Sequence, residues 1–195
     1  MRKRKPDPYL AGLKEEFGEI VDGLDVTEMQ KRFLKSRWLD QLLWFEKKST
    51  LNQKRYYTLR LVTIVGGVIV PAIVGINVRA DKVAVTLSWV TFSLSLVVAI
   101  AAAVEGFFRY GERWRTFRRT AEGLKAQAWQ YFQLTGPYKG YSKHRTAFAP
   151  FAAQVELLVQ QDLEAFIAQQ NQAQGAQAAA EKTDAPPGTA PSLAN

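Results

Sequence analysis

Hydroxyl side chains recur along one face of a long apolar run, and a carboxylate closes the run. Ser88, Thr91 and Ser95 share this face with Ala84, Ala99 and Ala102, and Glu105 follows at the end. In a ring of subunits, such hydroxyls could line a narrow water-filled path, with the carboxylates drawing cations to its mouth. Small residues equally suit close contact between helices, and a single carboxylate at a membrane surface costs little. The sequence leaves these alternatives open.

Arginines are concentrated immediately after that run. They are Arg109, Arg113, Arg115, Arg118 and Arg119. Basic side chains next to a membrane helix can bind anionic lipid headgroups, so these five are candidate headgroup ligands.

The sequence offers few residues for metal binding or catalysis. The chain has no cysteine, which excludes disulfides, iron–sulfur clusters and thiolate zinc sites. His144 is the only histidine and has no carboxylate pair near it in the sequence, so we expect no metal site, no cofactor and a structural or exposed histidine. Phosphate-binding glycine loops, zinc-binding His/Glu pairs and serine elbows are absent from the sequence. We therefore expect no catalytic residues and no enzyme.

Two apolar runs position the hydroxyls and the arginines. Residues 61–78 and 83–104 would form helices of about 27 Å and about 33 Å, against a hydrocarbon core of about 30 Å. Neither run has the charged stripe of a soluble core helix. The pattern predicts a transmembrane helical hairpin with a short outer turn.

The distribution of charge predicts the orientation of this hairpin. The net charge is +8, and residues 44–60 and 105–125 together hold eleven lysines and arginines, whereas the connecting turn holds only Arg79 and Lys82. By the positive-inside rule, both termini are cytoplasmic and the protein is a multi-pass protein of the inner (plasma) membrane. The same distribution makes nucleic-acid binding the weaker explanation of the charge.

Both helices are predicted to continue beyond the membrane as a coiled pair. Heptad seams are formed by Trp38, Leu42, Phe45, Ser49, Asn52, Tyr56 and Leu59, and by Phe107, Tyr110, Trp114, Phe117, Ala121, Leu124, Ala128 and Tyr131. Ser49 and Asn52 make the middle of the first seam polar. Either that stretch faces water, or Asn52 pairs in the interior and sets the register.

A last helix is predicted to fold back on this pair. Pro150 suits its first position, and its inner face would hold Phe151, Val155, Leu158, Asp162 and Phe166.

The first span carries a possible hinge. Gly67, Pro71 and Gly75 are spaced by four and line one face. Pro71 deprives the carbonyl of Gly67 of its helical partner. The face could be a packing kink, a hinge or a carbonyl exposed to a pore.

The predicted fold class is all-α, a transmembrane helical hairpin extended by a cytosolic coiled pair and a small bundle. In chain order we expect a basic arm with a short helix (1–26), a cytosolic helix that Thr27 caps (27–60), a first span (61–78), an outer turn (79–82), a second span (83–104), a heptad helix (105–135), a loop and C-terminal helix (136–168) and a disordered tail (169–195).

Several short motifs occur together in a familiar order. They are Arg37-Trp38-Leu39-Asp40-Gln41, Tyr56-Tyr57, Gly66-Gly67 with Pro71, Glu105-Gly106, Tyr110-Gly111-Glu112-Arg113-Trp114, Glu122 with Leu124-Lys125, and residues 148–156. In these motifs the chain, over about residues 30–165, resembles the bacterial membrane-protein family called domain of unknown function 4231, which is similar to the SLATT superfamily of two-span proteins. The resemblance implies a two-span helical protein with a cytosolic bundle. SLATT members are proposed to be oligomeric pore-forming effectors in bacterial conflict systems. We expect no fused sensor or nucleotide-binding domain here, so such a role would need a separate partner.

These observations lead to one expected function and one alternative. We expect a homo-oligomer in the lipid bilayer that acts as an ion channel or pore, because two spans alone cannot enclose an aqueous path. The alternative is a non-conducting scaffold, or a lipid- or partner-binding protein, whose cytosolic bundle docks another protein.

Overall fold

The computed structural model describes residues 7–75 and 81–183, and all the regular structure in those two stretches is helical. The all-α prediction is confirmed. The elements are α1 (Pro8–Gly23), α2 (Glu28–Phe33), a π-helical turn (Leu34–Leu39), α3 (Asp40–Val74), α4 (Asp81–Phe108), α5 (Tyr110–Phe132), a 3₁₀ turn (Gly136–Tyr138) and α6 (His144–Thr183).

A single rod runs from Glu28 to Val74, because α2, the π-helical turn and α3 follow one another without a break. The rod begins at the predicted capping box, where the Thr27 hydroxyl accepts a hydrogen bond from the Gln30 amide and the Gln30 side chain accepts one from the Thr27 amide. The π-helical turn has about one more residue per turn than an α-helix. Leu34, Trp38 and Leu39 are therefore all buried on the same side of the rod.

The first heptad seam faces the partner helix throughout its length. Its residues from Trp38 to Asn52 are buried, and Tyr56 and Leu59 are half-buried. The same alternation of four and three continues into the apolar half of α3, where Thr63, Gly66, Val70 and Ile73 are buried or half-buried, together with Val62 next to Thr63. The seam is thus longer than predicted.

The polar middle of this seam does not face water. Ser49 and Asn52 are 3% and 7% exposed. Ser49 Oγ donates to the Trp114 carbonyl across the helix pair, 3.3 Å away. Asn52 Nδ2 donates to the Lys48 carbonyl of its own helix at 2.7 Å, so its bond does not cross to the partner helix.

The partner of α3 is broken, contrary to the prediction of a continuous helix. Arg109 separates α4 from α5 and has left-handed backbone angles (φ 48°, ψ 45°), which are uncommon for a residue with a side chain. The Arg109 amide still donates to the Glu105 carbonyl, and its carbonyl accepts from the Glu112 amide, so the break costs few backbone bonds. Because the break changes the direction of the side chains, Phe107 is 73% exposed and is not part of the seam.

The remaining helices build a bundle around the first half of α3 and α5. Phe17 of α1 packs edge-on against Trp38, with ring centroids 5.2 Å apart, and Phe151 of α6 stacks on Tyr131 at 4.5 Å. Trp38 Nε1 donates to the Leu124 carbonyl. With Tyr138 of the 3₁₀ turn, the five largest fully buried side chains therefore come from five different segments of the chain.

Two predictions about α6 are wrong. The helix begins at His144, six residues before Pro150, because Ala147 is fully buried and Phe148 packs on Phe33. Burial of these side chains outweighs the one helical bond that a proline removes. The helix also continues through residue 169 to Thr183, since alanine and glutamine favour helix even without an apolar face. The inner face is confirmed at Phe151 and Val155, which are buried.

A bidentate ion pair connects α6 to the π-helical turn. Arg37 Nε and Nη2 donate to the two carboxylate oxygens of Glu156 at 2.7 and 2.6 Å. The hydrogen bond from Arg37 lowers the pKa of Glu156 below its ordinary value, against the opposing effect of partial burial.

Candidate functional site

The hydroxyl stripe of α4 lies along the edge of its contact with α3. Val98 and Ala101 face α3, whereas Thr91 and Ser95 are half-buried and Ser88 is exposed. Ser88 and Thr91 donate their hydroxyl protons to carbonyls one turn earlier in their own helix, at 2.9 and 2.8 Å. The oxygen of the exposed Ser88 remains available as an acceptor on the surface of a single chain, whereas Thr91 is partly covered.

Glu105 occupies the last turn of α4 and is half-buried. Its carbonyl holds the amide of Arg109 at the break between the two helices. The predicted pore mouth and the change of helix direction therefore coincide along the chain.

Close packing between the apolar helices depends on Gly66 rather than on its neighbour. A Cβ atom on Gly66 would lie 2.1 Å from Val98 Cγ2, whereas one on Gly67 would meet nothing within 4 Å. The predicted hinge face of Gly67, Pro71 and Gly75 is exposed in the single chain, and α3 continues through Pro71 to Val74. A role of that face as a hinge or in packing between subunits stays a prediction.

The five arginines after α4 fall into two groups. Arg118 faces α3, where Nη1 lies 3.2 Å from Glu46 Oε2 and Nη2 lies 2.7 Å from Glu122 Oε1. The other four line a groove of about 610 Å³ between α5 and α6. Among these four, Arg109 forms an ion pair with Glu112 at 2.6 Å.

The opposite wall of this groove, which we call the arginine groove, is nearly uncharged. It is formed by Leu158, Gln161, Asp162, Ala168 and Gln172 of α6. Asp162 accepts a hydrogen bond from the Thr120 hydroxyl at 3.2 Å. Burial raises the pKa of Asp162, and the hydrogen bond offsets this only in part. The groove therefore has more positive than negative charge on its surface.

A buried charge cluster on the other side of α5 was missed by sequence reasoning. Glu46 is 1% exposed, and its two carboxylate oxygens lie 2.6 Å from Lys125 Nζ and 3.2 Å from Arg118 Nη1. Burial alone would lower the pKa of Lys125, but the bonds to Glu46 and Glu122 outweigh it and raise that pKa. Arg118 and Lys125 are one heptad apart, next to the seam, and this spacing was the available signal.

His144 has a structural role at the start of α6. Its Nε2 donates to the Phe132 carbonyl at 3.0 Å, and its own carbonyl accepts from the Tyr131 hydroxyl at 3.0 Å. Tyr138, predicted as part of a loop, is fully buried, which raises the pKa of its phenol to about 12. In the part of the chain that the structure describes, no three histidine or acidic side chains are grouped closely enough to hold a metal ion.

Comparison with known proteins identifies the family. The sequence model of a protein family of unknown function, DUF4231, matches residues 40–146. The chain belongs to the DUF4231 family. The family segment begins at the first residue of α3 and ends just inside α6, so it contains both apolar helices, the buried charge cluster and the α5 wall of the arginine groove. No curated protein and no solved structure matches the chain.

Proposed function

We propose that this DUF4231 protein is inserted in the inner membrane as a helical hairpin and assembles into a homo-oligomeric ion channel or pore. The observation that carries the proposal is the exposure of its apolar helices. The most apolar windows of the rod containing α3 and of α4 have mean hydropathies of 1.9 and 2.2, yet only 6% of each window is buried. An apolar surface of this extent needs lipid or protein around it.

The geometry of α4 supports an assembly of several subunits. Its contact with α3 covers the side of Val98 and Ala101, and the neighbouring flank, with exposed Ser88 and half-buried Ser95, leaves room for another subunit or for water. The outward side holds large lipid-compatible residues such as Trp89 and Phe92. In a ring, the hydroxyl flank would line the path and Glu105 would set the charge of its inner mouth.

Insertion and orientation can be tested first. The chain has no cysteine, so a single cysteine replacing Arg79 provides a unique label site between the spans. We expect the protein to pellet with membranes at alkaline pH. We also expect a membrane-impermeant maleimide, added outside intact spheroplasts, to label the Arg79→Cys variant. Recovery in the supernatant, or labelling only after lysis, contradicts the proposal.

Conduction is tested with a matched pair of variants on one helix. Ser95 lies on the hydroxyl flank, and Ser93 is exposed on the side of α4 that is turned away from α3, next to Trp89. Purified oligomer in planar bilayers should pass ions, and Ser95→Leu should reduce its single-channel conductance, whereas Ser93→Leu, with the same change in volume, should not. A confirmed oligomer that conducts under no voltage or tension, or equal effects of the two variants, refutes the pore.

A non-conducting scaffold is the second candidate, and the surface of α6 favours it. Leu157, Leu163 and Ile167 are 45–57% exposed on a bundle that already has its own core. Such residues could receive a cytosolic partner. A scaffold predicts that Ser95→Leu leaves function in cells intact, while Leu163→Asp with Ile167→Asp abolishes it. A pore predicts that Ser95→Leu impairs function more than the two substitutions on α6 do.

A further inference from the structure

We propose that the arginine groove binds the phosphate of an anionic phospholipid headgroup. The inference rests on the proposed membrane insertion. It assigns a ligand to a surface that is separate from the hydroxyl flank and from the exposed apolar residues of α6.

The first argument is the unbalanced charge of the groove. Four arginines, Arg109, Arg113, Arg115 and Arg119, line the groove, whereas its described lining includes two acidic residues, Glu112 and Asp162, and Glu112 already pairs with Arg109. Within the described residues, no ion pair involves Arg115 or Arg119. On the other side of α5, by contrast, Glu46 and Glu122 of the protein itself neutralise Arg118.

The second argument is the chemistry of the residues. All four basic groups are arginines, whose planar fork of donors matches the oxygens of a phosphate and can bind two of them at once. The groove also contains apolar surface from Phe117 and Leu158. A headgroup with its glycerol backbone would use both kinds of surface, which a free phosphate ion would not.

The third argument is depth. Tyr57 of α3 contacts Trp114 with ring centroids 6.5 Å apart, and Tyr56 packs on Gly111. Tyrosines are typical of the membrane–water interface. Residues 110–114 of α5 therefore lie at headgroup level, and the groove extends from there over the next six residues, about 9 Å further along the helix. A phosphate at the inner surface is within reach of the long arginine side chains.

The experiment measures lipid affinity of the full-length oligomer in detergent by native mass spectrometry. Phosphatidylglycerol is the anionic probe, phosphatidylcholine the neutral one and inorganic phosphate the soluble one. The test variant is Arg115→Gln with Arg119→Gln. The control is Lys47→Gln with Lys54→Gln, which removes the same charge from exposed positions of α3.

We expect the native protein to prefer phosphatidylglycerol and the test variant to lose about 25-fold in affinity, at about fivefold per basic residue. The control should retain the preference. Replacing the same two arginines by lysine should give an intermediate affinity, because the charge is kept but bidentate binding of the phosphate is lost. All variants must keep the helicity and oligomer size of the native protein; both replaced arginines are exposed, so we expect this.

Three results overturn the inference. They are native phosphatidylglycerol affinity in the test variant, an equal loss in the control, and inorganic phosphate binding in the groove with no preference between the two lipids. Failure of the proposed pore gives a different result, because a protein that does not conduct would still show the lipid preference and its dependence on Arg115 and Arg119.

Discussion

Gly66 and Gly67 are neighbours in α3 with opposite surroundings, and replacing each by alanine tests how closely α3 and α4 pack. A Cβ on Gly66 would lie 2.1 Å from Val98 Cγ2, whereas carbon atoms in contact are about 3.5–4.0 Å apart. Valine is stiff at χ1 in a helix, so the helices must separate by about 1.5 Å, and overpacking of this kind costs about 1–3 kcal/mol.

Apart from the contact with Val98, we expect the two glycine-to-alanine substitutions to have the same effect on stability. Both gain about 1 kcal/mol of helix propensity, so their difference isolates the contact with Val98. We expect G66A to be less stable than G67A by about 2 kcal/mol, which in a chain of 195 residues corresponds to about 4–8 °C in Tm. Thermal unfolding followed by circular dichroism in detergent micelles measures the difference.

A second substitution provides the rescue. Val98→Ala removes the clashing methyl groups, so in the G66A background it should restore most of the lost stability, and it should not do so in the G67A background. Equal Tm values for G66A and G67A, or no rescue, would show that α3 and α4 are not in contact at Gly66.

Three further predictions concern the bundle. Replacing Lys125 by methionine leaves the buried carboxylate of Glu46 with only Arg118, and we expect the free energy of unfolding in detergent to fall by about 3 kcal/mol. Changing Glu46 to glutamine as well should restore part of this stability. An unchanged stability would mean that the carboxylate reaches water. Glu156→Gln should lower the free energy of unfolding by only about 1 kcal/mol at pH 7, because both charged groups of the ion pair with Arg37 are more than one third exposed. Since the pKa of Glu156 in the folded protein is below its ordinary 4.5, this difference in stability should be complete above about pH 5 and should vanish as the pH falls through the lowered pKa. A constant difference down to pH 3 would contradict the ion pair. Thr27→Ala removes half of the capping box and should cost about 1 kcal/mol, with Thr27→Ser close to native as its control.

The helices could be predicted because their signals are local. Apolar runs, the capping box and the alternation of four and three can be read from neighbouring residues, and the burial of Trp38, Leu42 and Leu124 agrees with them. The register at which α3 meets α4 is not local. Gly66 and Gly67 have the same chemistry, and only the position of Val98 on the other helix decides which of them is covered.

The errors have the same origin. Nothing in Arg109 itself marks a left-handed residue, and both helices that it joins pack on α3, which is a long-range feature. Pro150 is a strong local signal for a helix start, but burial of Ala147 outweighed it. The arginines were visible as a group, yet their division between Glu46 and the groove depends on which way α5 faces.

The continuity of the rod from Glu28 to Val74 and the single break opposite it give the two sides of the molecule different mechanical properties. A tilt of the first apolar helix is carried into the bundle, because α3 has no break between them. The second apolar helix is interrupted at Arg109 and packs on α3 at Gly66, so its position depends on α3 as well as on α5. A signal that reaches the bundle would therefore pass to the bilayer mainly through the unbroken helix.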